Sequence, residues 1–225
     1  MHIWEKIHRS RRWGRYPNEE LVRFIGRRFF HLPKEKRKDI KILEIGFGQG
    51  ANIWFLLKEG FDVYGIDIAP SAKEKLRDFL KELNLLPSDF DKRFIVQDVR
   101  NLEFNEEFSI ILDVASIFYT PYKEHFSIYK KIFNLLNKGG IFWSFHVLKN
   151  SWGYGTGKLI DKDTFENISE GPFSNQGIIY FADICDLIEL LKKAGFVIEN
   201  KELLIRTYEN MSKQVQFAII TAVKS

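Results

Sequence analysis

The run Ile40-Lys41-Ile42-Leu43-Glu44-Ile45-Gly46-Phe47-Gly48-Gln49-Gly50 constrains the fold of this chain more than any other stretch, because an apolar strand breaks into three alternating glycines where a helix should begin. Glycine reaches positive φ cheaply and has no Cβ, so these positions allow a tight strand-to-helix reversal whose backbone N–H groups are expected to point outward. A ligand can approach such a loop closely. Seventeen residues after Gly50, a second strand candidate ends at Asp67. That is near the spacing at which an acid grips ribose hydroxyls in dinucleotide-type folds.

The 225 residues, 45% of them apolar, suffice for a single large α/β domain with an extensive core. Cys185 is the only cysteine, which excludes an internal disulfide and a thiolate zinc site and points to a reducing, cytoplasmic compartment. Residues 1–12 are basic but lack the apolar core of a signal peptide, and no window approaches the length of a membrane span. Charge is unevenly placed. Residues 1–38 hold twelve Lys or Arg against four Glu, a net of +8, which leaves −4 for the remainder. A basic arm suits an acidic partner such as RNA, a nucleotide or a phosphorylated sugar; a solvated helix face is the plainer reading.

Residues 18–30 read as an amphipathic helix, with Asn18 as cap, Glu19 and Glu20 at its positive end, and Leu21, Val22, Phe24, Ile25 and Phe29 on the apolar face. The organisation expected is therefore a basic N-terminal helical arm over 1–38 and a main domain over 39–225. Near-continuous apolar runs predict strands at 40–45, 62–67, 93–97, 108–113 and 140–147, buried on both faces of a parallel sheet. Helical patterns separate them at 51–59, 71–83 and 122–137, the sequence form of repeated βαβ units. The stretch 149–180 is rich in Gly, Ser and Asn, shows no clean period, and is expected to be a substrate lid loop. A helix at 183–194 and strands near 196–206 and 214–223 close the chain, the last pair joined by a short polar reversal that makes an antiparallel edge.

With these elements in place, the chain resembles the class I S-adenosylmethionine-dependent methyltransferases. Glu44, Gly46, Phe47, Gly48 and Gly50 match that family's E/D-x-G-x-G-x-G loop, which implies contact with the methionine part of S-adenosyl-L-methionine. Asp67 and Ile68, in Gly65-Ile66-Asp67-Ile68, match the end of the second strand that holds the ribose diol. Asp98 and Val99 match the position after the third strand, which implies a carboxylate for the adenine amino group and an apolar contact on the ring. Asp113 matches the end of the fourth strand beside the transferable methyl, and Asn137-Lys138-Gly139-Gly140 the turn before the fifth. The resemblance implies a Rossmann-like, doubly wound, mostly parallel seven-stranded sheet with an antiparallel C-terminal strand, in the order 3-2-1-4-5-7-6.

The same resemblance leaves the acceptor less defined. Many relatives begin the fourth strand with Phe-Asp where this chain has Phe108-Ser109, and many place a histidine near Tyr119. Asp113 is followed by Val-Ala-Ser rather than Pro-Pro-Tyr/Phe, which disfavours methylation of an exocyclic base nitrogen. Trp13-Gly14-Arg15-Tyr16-Pro17-Asn18-Glu19 is similar to the opening segment of small-molecule methyltransferases associated with bacterial surface polysaccharides. A sugar or related metabolite, methylated on a hydroxyl, is the acceptor this implies.

Methyl transfer from a sulfonium is an in-line displacement, so alignment dominates and no metal is obligatory. A hydroxyl acceptor gains from a base, and His146 in Phe145-His146-Val147 is the leading candidate, with Asp113 and Tyr119 as the other catalytic candidates. His146 is equally readable as a hydrogen-bonded histidine at a strand end. The loop 151–158 and the segment Trp13, Tyr16, Pro17 are candidate walls of the acceptor site. Three rival readings stay open: an RNA methyltransferase using the basic arm, an S-adenosylmethionine-binding protein without turnover, and an NAD-dependent oxidoreductase, since Gly46-x-Gly48-x-x-Ala51 also satisfies G-x-G-x-x-G/A.

Overall fold

A computed structural model describes residues 2–12 and 14–225. The helices are α1 (Ile3–Ser10), α2 (Glu19–Phe29), α3 (Lys34–Arg37), α4 (Ala51–Lys58), α5 (Pro70–Glu82), α6 (Phe90–Arg93), α7 (Tyr122–Leu135) and α8 (Ile184–Ala194). The strands are β1 (Lys41–Ile45), β2 (Asp62–Asp67), β3 (Phe94–Val96), β4 (Phe108–Val114), β5 (Leu136–Val147), β6 (Lys158–Asp161), β7 (Thr164–Glu166), β8 (Ile178–Tyr180), β9 (Val197–Tyr208) and β10 (Lys213–Val223). Seven of them form one sheet in the order β3-β2-β1-β4-β5-β10-β9, and β6-β7-β8 form a second. Counting only the large sheet, this is the expected order 3-2-1-4-5-7-6. No helix among the described residues is long and apolar enough to cross a membrane.

The chain falls into two compact halves, 1–114 and 115–225. In the first, β3, β2, β1 and β4 pair in parallel, and their register sets Ile45 opposite both Ile66 and Asp113. That register brings the carboxyl ends of β1, β2 and β4, and with them Glu44, Asp67 and Asp113, to one level. Ile42, Leu43, Val63, Ile111 and Leu112 are fully buried, as strands covered on both faces require, each worth about 1.5–3 kcal/mol relative to exposure. α2 forms as its sequence dictates: the Asn18 side chain accepts from Leu21 N at 3.1 Å, and Leu21 and Ile25 are buried. Within the expected helical arm, only 18–30 reads as a helix from sequence, and α1 adds a second one. The His2 side chain caps it at Trp4 N, and it buries Glu5, Ile7 and His8.

In the second half, β10 pairs antiparallel with β5 and with β9, giving the edge read from the sequence. The stretch 149–180 is not an irregular loop. It folds as the antiparallel β6-β7-β8 over a cluster of Phe165, Ile168, Phe173, Ile179 and Phe181. Two of its glycines serve close packing: a Cβ on Gly157 would stand 2.3 Å from the Glu166 carbonyl oxygen, and one on Gly153 2.9 Å from that of Glu170.

Candidate functional site

The glycine loop links β1 to α4, with Gly46, Gly48 and Gly50 at φ of 72°, 54° and 90°, the left-handed values for which glycine is suited. At Gly50 the constraint is doubled, since a Cβ would stand 2.3 Å from Leu76 Cδ1. The N–H groups, however, turn inward. Gly46 N and Phe47 N donate to the Ile66 carbonyl at 2.8 and 3.1 Å, Gly48 N donates to Asp67 Oδ2 at 2.9 Å, and Gly50 N donates to the Phe47 carbonyl at 3.0 Å. This corrects the expectation of outward-pointing donors. A pyrophosphate needs such donors, so the arrangement removes the main physical support for an NAD site.

Asp67 is the keystone of the loop. Its Oδ1 accepts from Ala69 N at 2.8 Å while Oδ2 holds Gly48, which fixes the loop against the end of β2. Burial pushes its carboxyl up to about 6, against the lowering effect of the backbone donors. A carboxylate offers about four acceptor sites, so these backbone donors leave room for a further hydroxyl. Ile68, half-buried, follows at the strand end. Phe47 turns its ring into the core, edge-on to Phe94 with centroids 5.9 Å apart, so only its backbone lies in the loop.

Glu44 is 1% exposed. Its Oε1 accepts from Asn52 Nδ2 at 2.6 Å, Asn52 Oδ1 accepts from Asn18 N at 2.9 Å, and Oε2 has no partner. Burial first, helped by the nearby charges of Asp67 and Asp113, raises its carboxyl to about 8, while the Asn52 donor opposes the shift. An orphaned, buried carboxylate oxygen beside a glycine loop is the complement of a cationic amine. Asp113 is fully buried at the end of β4.

Asp98 sits after β3, half-buried, with Arg100 on both oxygens at 2.5–3.0 Å and Arg100 N on Oδ1 at 2.9 Å. Burial pushes this carboxyl up, but the Arg100 hydrogen bonds outweigh it and hold it below the usual range. Here Asp98 also caps the short turn Val99–Asn101.

Helix α1 lies across this loop, a neighbour that sequence reasoning missed. Glu5 Oε2 accepts from Ser71 N and Oγ at 3.0 and 2.8 Å, at the start of α5. The Gln49 side chain meets His8 Nδ1 at 3.3 Å and donates to the Arg11 carbonyl at 3.0 Å, while Lys75 donates to the His8 carbonyl. Burial, then Lys75, lowers His8 to about 4, leaving it neutral. The i, i+4 pairs Ile3/Ile7 and Trp4/His8 are the signal that would have marked this helix.

The remaining candidates lie in the second half. Tyr119 donates its hydroxyl to Gln176 Oε1 at 2.6 Å. His146 is fully buried among Phe118, His125 and Tyr180, with its Nδ1 at 2.9 Å from the Val147 carbonyl and its Nε2 without a partner. Burial lowers it to about 4. Trp13 falls outside the described residues, and Tyr16 is exposed. Trp152 and Tyr154 are anchored, Trp152 Nε1 donating to Glu170 at 3.1 Å and the Tyr154 hydroxyl to Asp163 at 2.6 Å.

Comparison with known proteins agrees with this geometry. Residues 42–140 match a family model described as a methyltransferase domain. Among solved structures, a S-adenosylmethionine-dependent methyltransferase from Methanosarcina mazei superposes with a TM-score of 0.67 at 21% identity, over 93% of this chain and 98% of that one. Magnesium protoporphyrin IX methyltransferase from Synechocystis, with bound S-adenosylmethionine, gives 0.57 at 16%, over 82% and 69%. The 1,6-didemethyltoxoflavin-N1-methyltransferase from Burkholderia thailandensis, with bound 1,6-didemethyltoxoflavin and S-adenosylhomocysteine, gives 0.60 at 17%, over 92% and 86%. At these identities the likeness to the solved structures is one of fold. The match over residues 42–140, together with the glycine loop and the acids gathered around it, supports an S-adenosylmethionine-dependent methyltransferase whose cofactor is S-adenosyl-L-methionine.

Proposed function

We propose that this enzyme methylates a small molecule on a hydroxyl, a sugar or a related metabolite, with His146 taking the acceptor's proton. The cofactor supplies an electrophilic methyl group on a sulfonium. In this reading Glu44 Oε2 receives the methionine ammonium, Asp67 the ribose hydroxyls, the loop backbone at Gly46, Phe47, Gly48 and Gly50 the methionine chain, Ile68 and Val99 the adenosine faces, and Asp98 the adenine amino group. Asp113 lines the methyl end, and Tyr119 orients the acceptor. The acceptor oxygen would take the methyl group that the cofactor supplies, and its proton would pass to His146 Nε2.

The observation that carries the reading is the state of His146. With Nδ1 turned to the Val147 carbonyl, its proton belongs there, which leaves the Nε2 lone pair free on a neutral ring. The Burkholderia relative, bound to a small heterocycle, supports a small acceptor. At least four of the twelve cations of the basic arm are paired within the chain, Arg9 with Glu5, Arg15 with Glu82, Arg23 with Glu20 and Arg37 with Glu59, which lowers the charge left for RNA without cancelling it.

The test is S-adenosylhomocysteine release with panels of sugars, sugar nucleotides and small hydroxylated metabolites, beside RNA. His146→Ala should lower turnover about 100-fold or more while cofactor affinity stays unchanged. Because His146 protonates only near pH 4, its ionisation should add no limb to the rate profile between about pH 6 and 9. Product from RNA alone, or tight cofactor binding with no product from any acceptor, overturns the proposal.

A further inference from the structure

Strand β9 ends the large sheet, paired on one side with β10 and with no strand on the other among the described residues. It is unusually long for an open edge, and apolar groups stand out from it: Leu203 is 54% exposed and Ile205 47%. Edge strands are normally blunted by charges that repel a second strand. Here the charges Glu202 and Arg206 flank the apolar Leu203-Leu204-Ile205 symmetrically, and the Arg206 side chain has no hydrogen-bond or ion-pair partner among the described residues.

We infer that β9 is the dimerisation edge of this enzyme, pairing antiparallel with β9 of a second copy about a two-fold axis at Leu204. In a two-fold antiparallel pair, directly opposite residues have numbers of constant sum and project to the same face. With Leu204 facing its own counterpart, Leu203 lies opposite Ile205 twice over, and Glu202 lies opposite Arg206 twice over. One face of the joined sheet then gains a four-residue apolar patch, and the other two ion pairs around Leu204. Neighbouring registers lose this. Centring on Leu203 sets Lys201 against Ile205 and Glu202 against Leu204, and centring on Glu202 sets that carboxylate against itself. The like-charge match in the favoured register, Glu199 against Glu209, involves a residue past the end of the strand at Tyr208.

Sedimentation of the full chain at micromolar concentration tests this. The wild type should run at twice the 26.6 kDa monomer mass. Arg206→Glu and, separately, Glu202→Arg place like charges opposite each other and should weaken the dimer about tenfold or more. The double exchange Glu202→Arg with Arg206→Glu restores opposite pairs and should restore the dimer. Circular dichroism and S-adenosylmethionine affinity, unchanged in each variant, establish that the fold persists. A monomeric wild type, a dimer indifferent to Arg206→Glu, or single variants not rescued by the exchange overturns the inference.

Discussion

At the scale of one residue, the cofactor role proposed for Glu44 would couple binding to pH. Its carboxyl is held at about 8, against an ordinary 4.5, because burial opposes the charged form and one oxygen lacks a donor. A carboxyl raised on folding contributes stability that is whole below its unfolded value and is lost as pH rises through the folded one. Glu44→Gln keeps the shape without the ionisation, so it should melt close to the wild type at about pH 5 and above it at about pH 8. A cationic amine reverses the preference at the same atom. Binding of the cofactor near pH 7 should therefore release close to one proton, seen as a dependence of the calorimetric enthalpy on buffer ionisation. In Glu44→Gln that release should vanish and affinity should fall by about 1.5–3 kcal/mol, the loss of a charge-assisted hydrogen bond. Proton release equal in both proteins would remove Glu44 from the cofactor site.

At the scale of elements, the β1–α4 turn is rigid because glycine is required there by both conformation and space. Gly50→Ala must place a methyl group at 2.3 Å from Leu76 Cδ1 on a residue at φ 90°, so the Leu76 side chain has to shift within the core and the backbone is strained. A loss of about 1–3 kcal/mol in denaturant-measured stability is expected, with cofactor affinity falling alongside. This turn was legible in the sequence because its demand is local: three alternating glycines after an apolar run have few other uses. The parallel strands were legible for the same reason, being continuous apolar runs. What could not be read was structure fixed from a distance. β6 and β7 span three or four residues each, Leu159 is 60% exposed, and their pairing depends on backbones brought close over Gly153 and Gly157. Likewise the inward turn of the loop N–H groups depends on the Ile66 carbonyl and on Asp67, neither of them near in sequence.

For the whole molecule, the uneven charge is the sequence feature whose meaning changed most. A net +8 over residues 1–38 suggested an arm reaching for a polyanion, yet Arg15 reaches Glu82 on α5, and Arg37 reaches Glu59 beyond α4 and the carbonyls of Leu32 and Glu59. These cations fasten the arm onto its own acidic body, and a pair formed within the chain releases no counterions when a ligand binds. Salt then separates the two uses of the arm. A protein that contacts six to ten nucleic-acid phosphates loses about 1,000- to 100,000-fold in affinity between 50 and 200 mM salt. If the arm is structural, kcat/KM for the small acceptor should change less than about threefold over that range, and any RNA binding should be weak and shallow in its salt slope. Steeply salt-dependent turnover would return the arm to the substrate side of the reaction, because it would mean that Arg15 and Arg37 exchange their carboxylates for phosphates when substrate arrives.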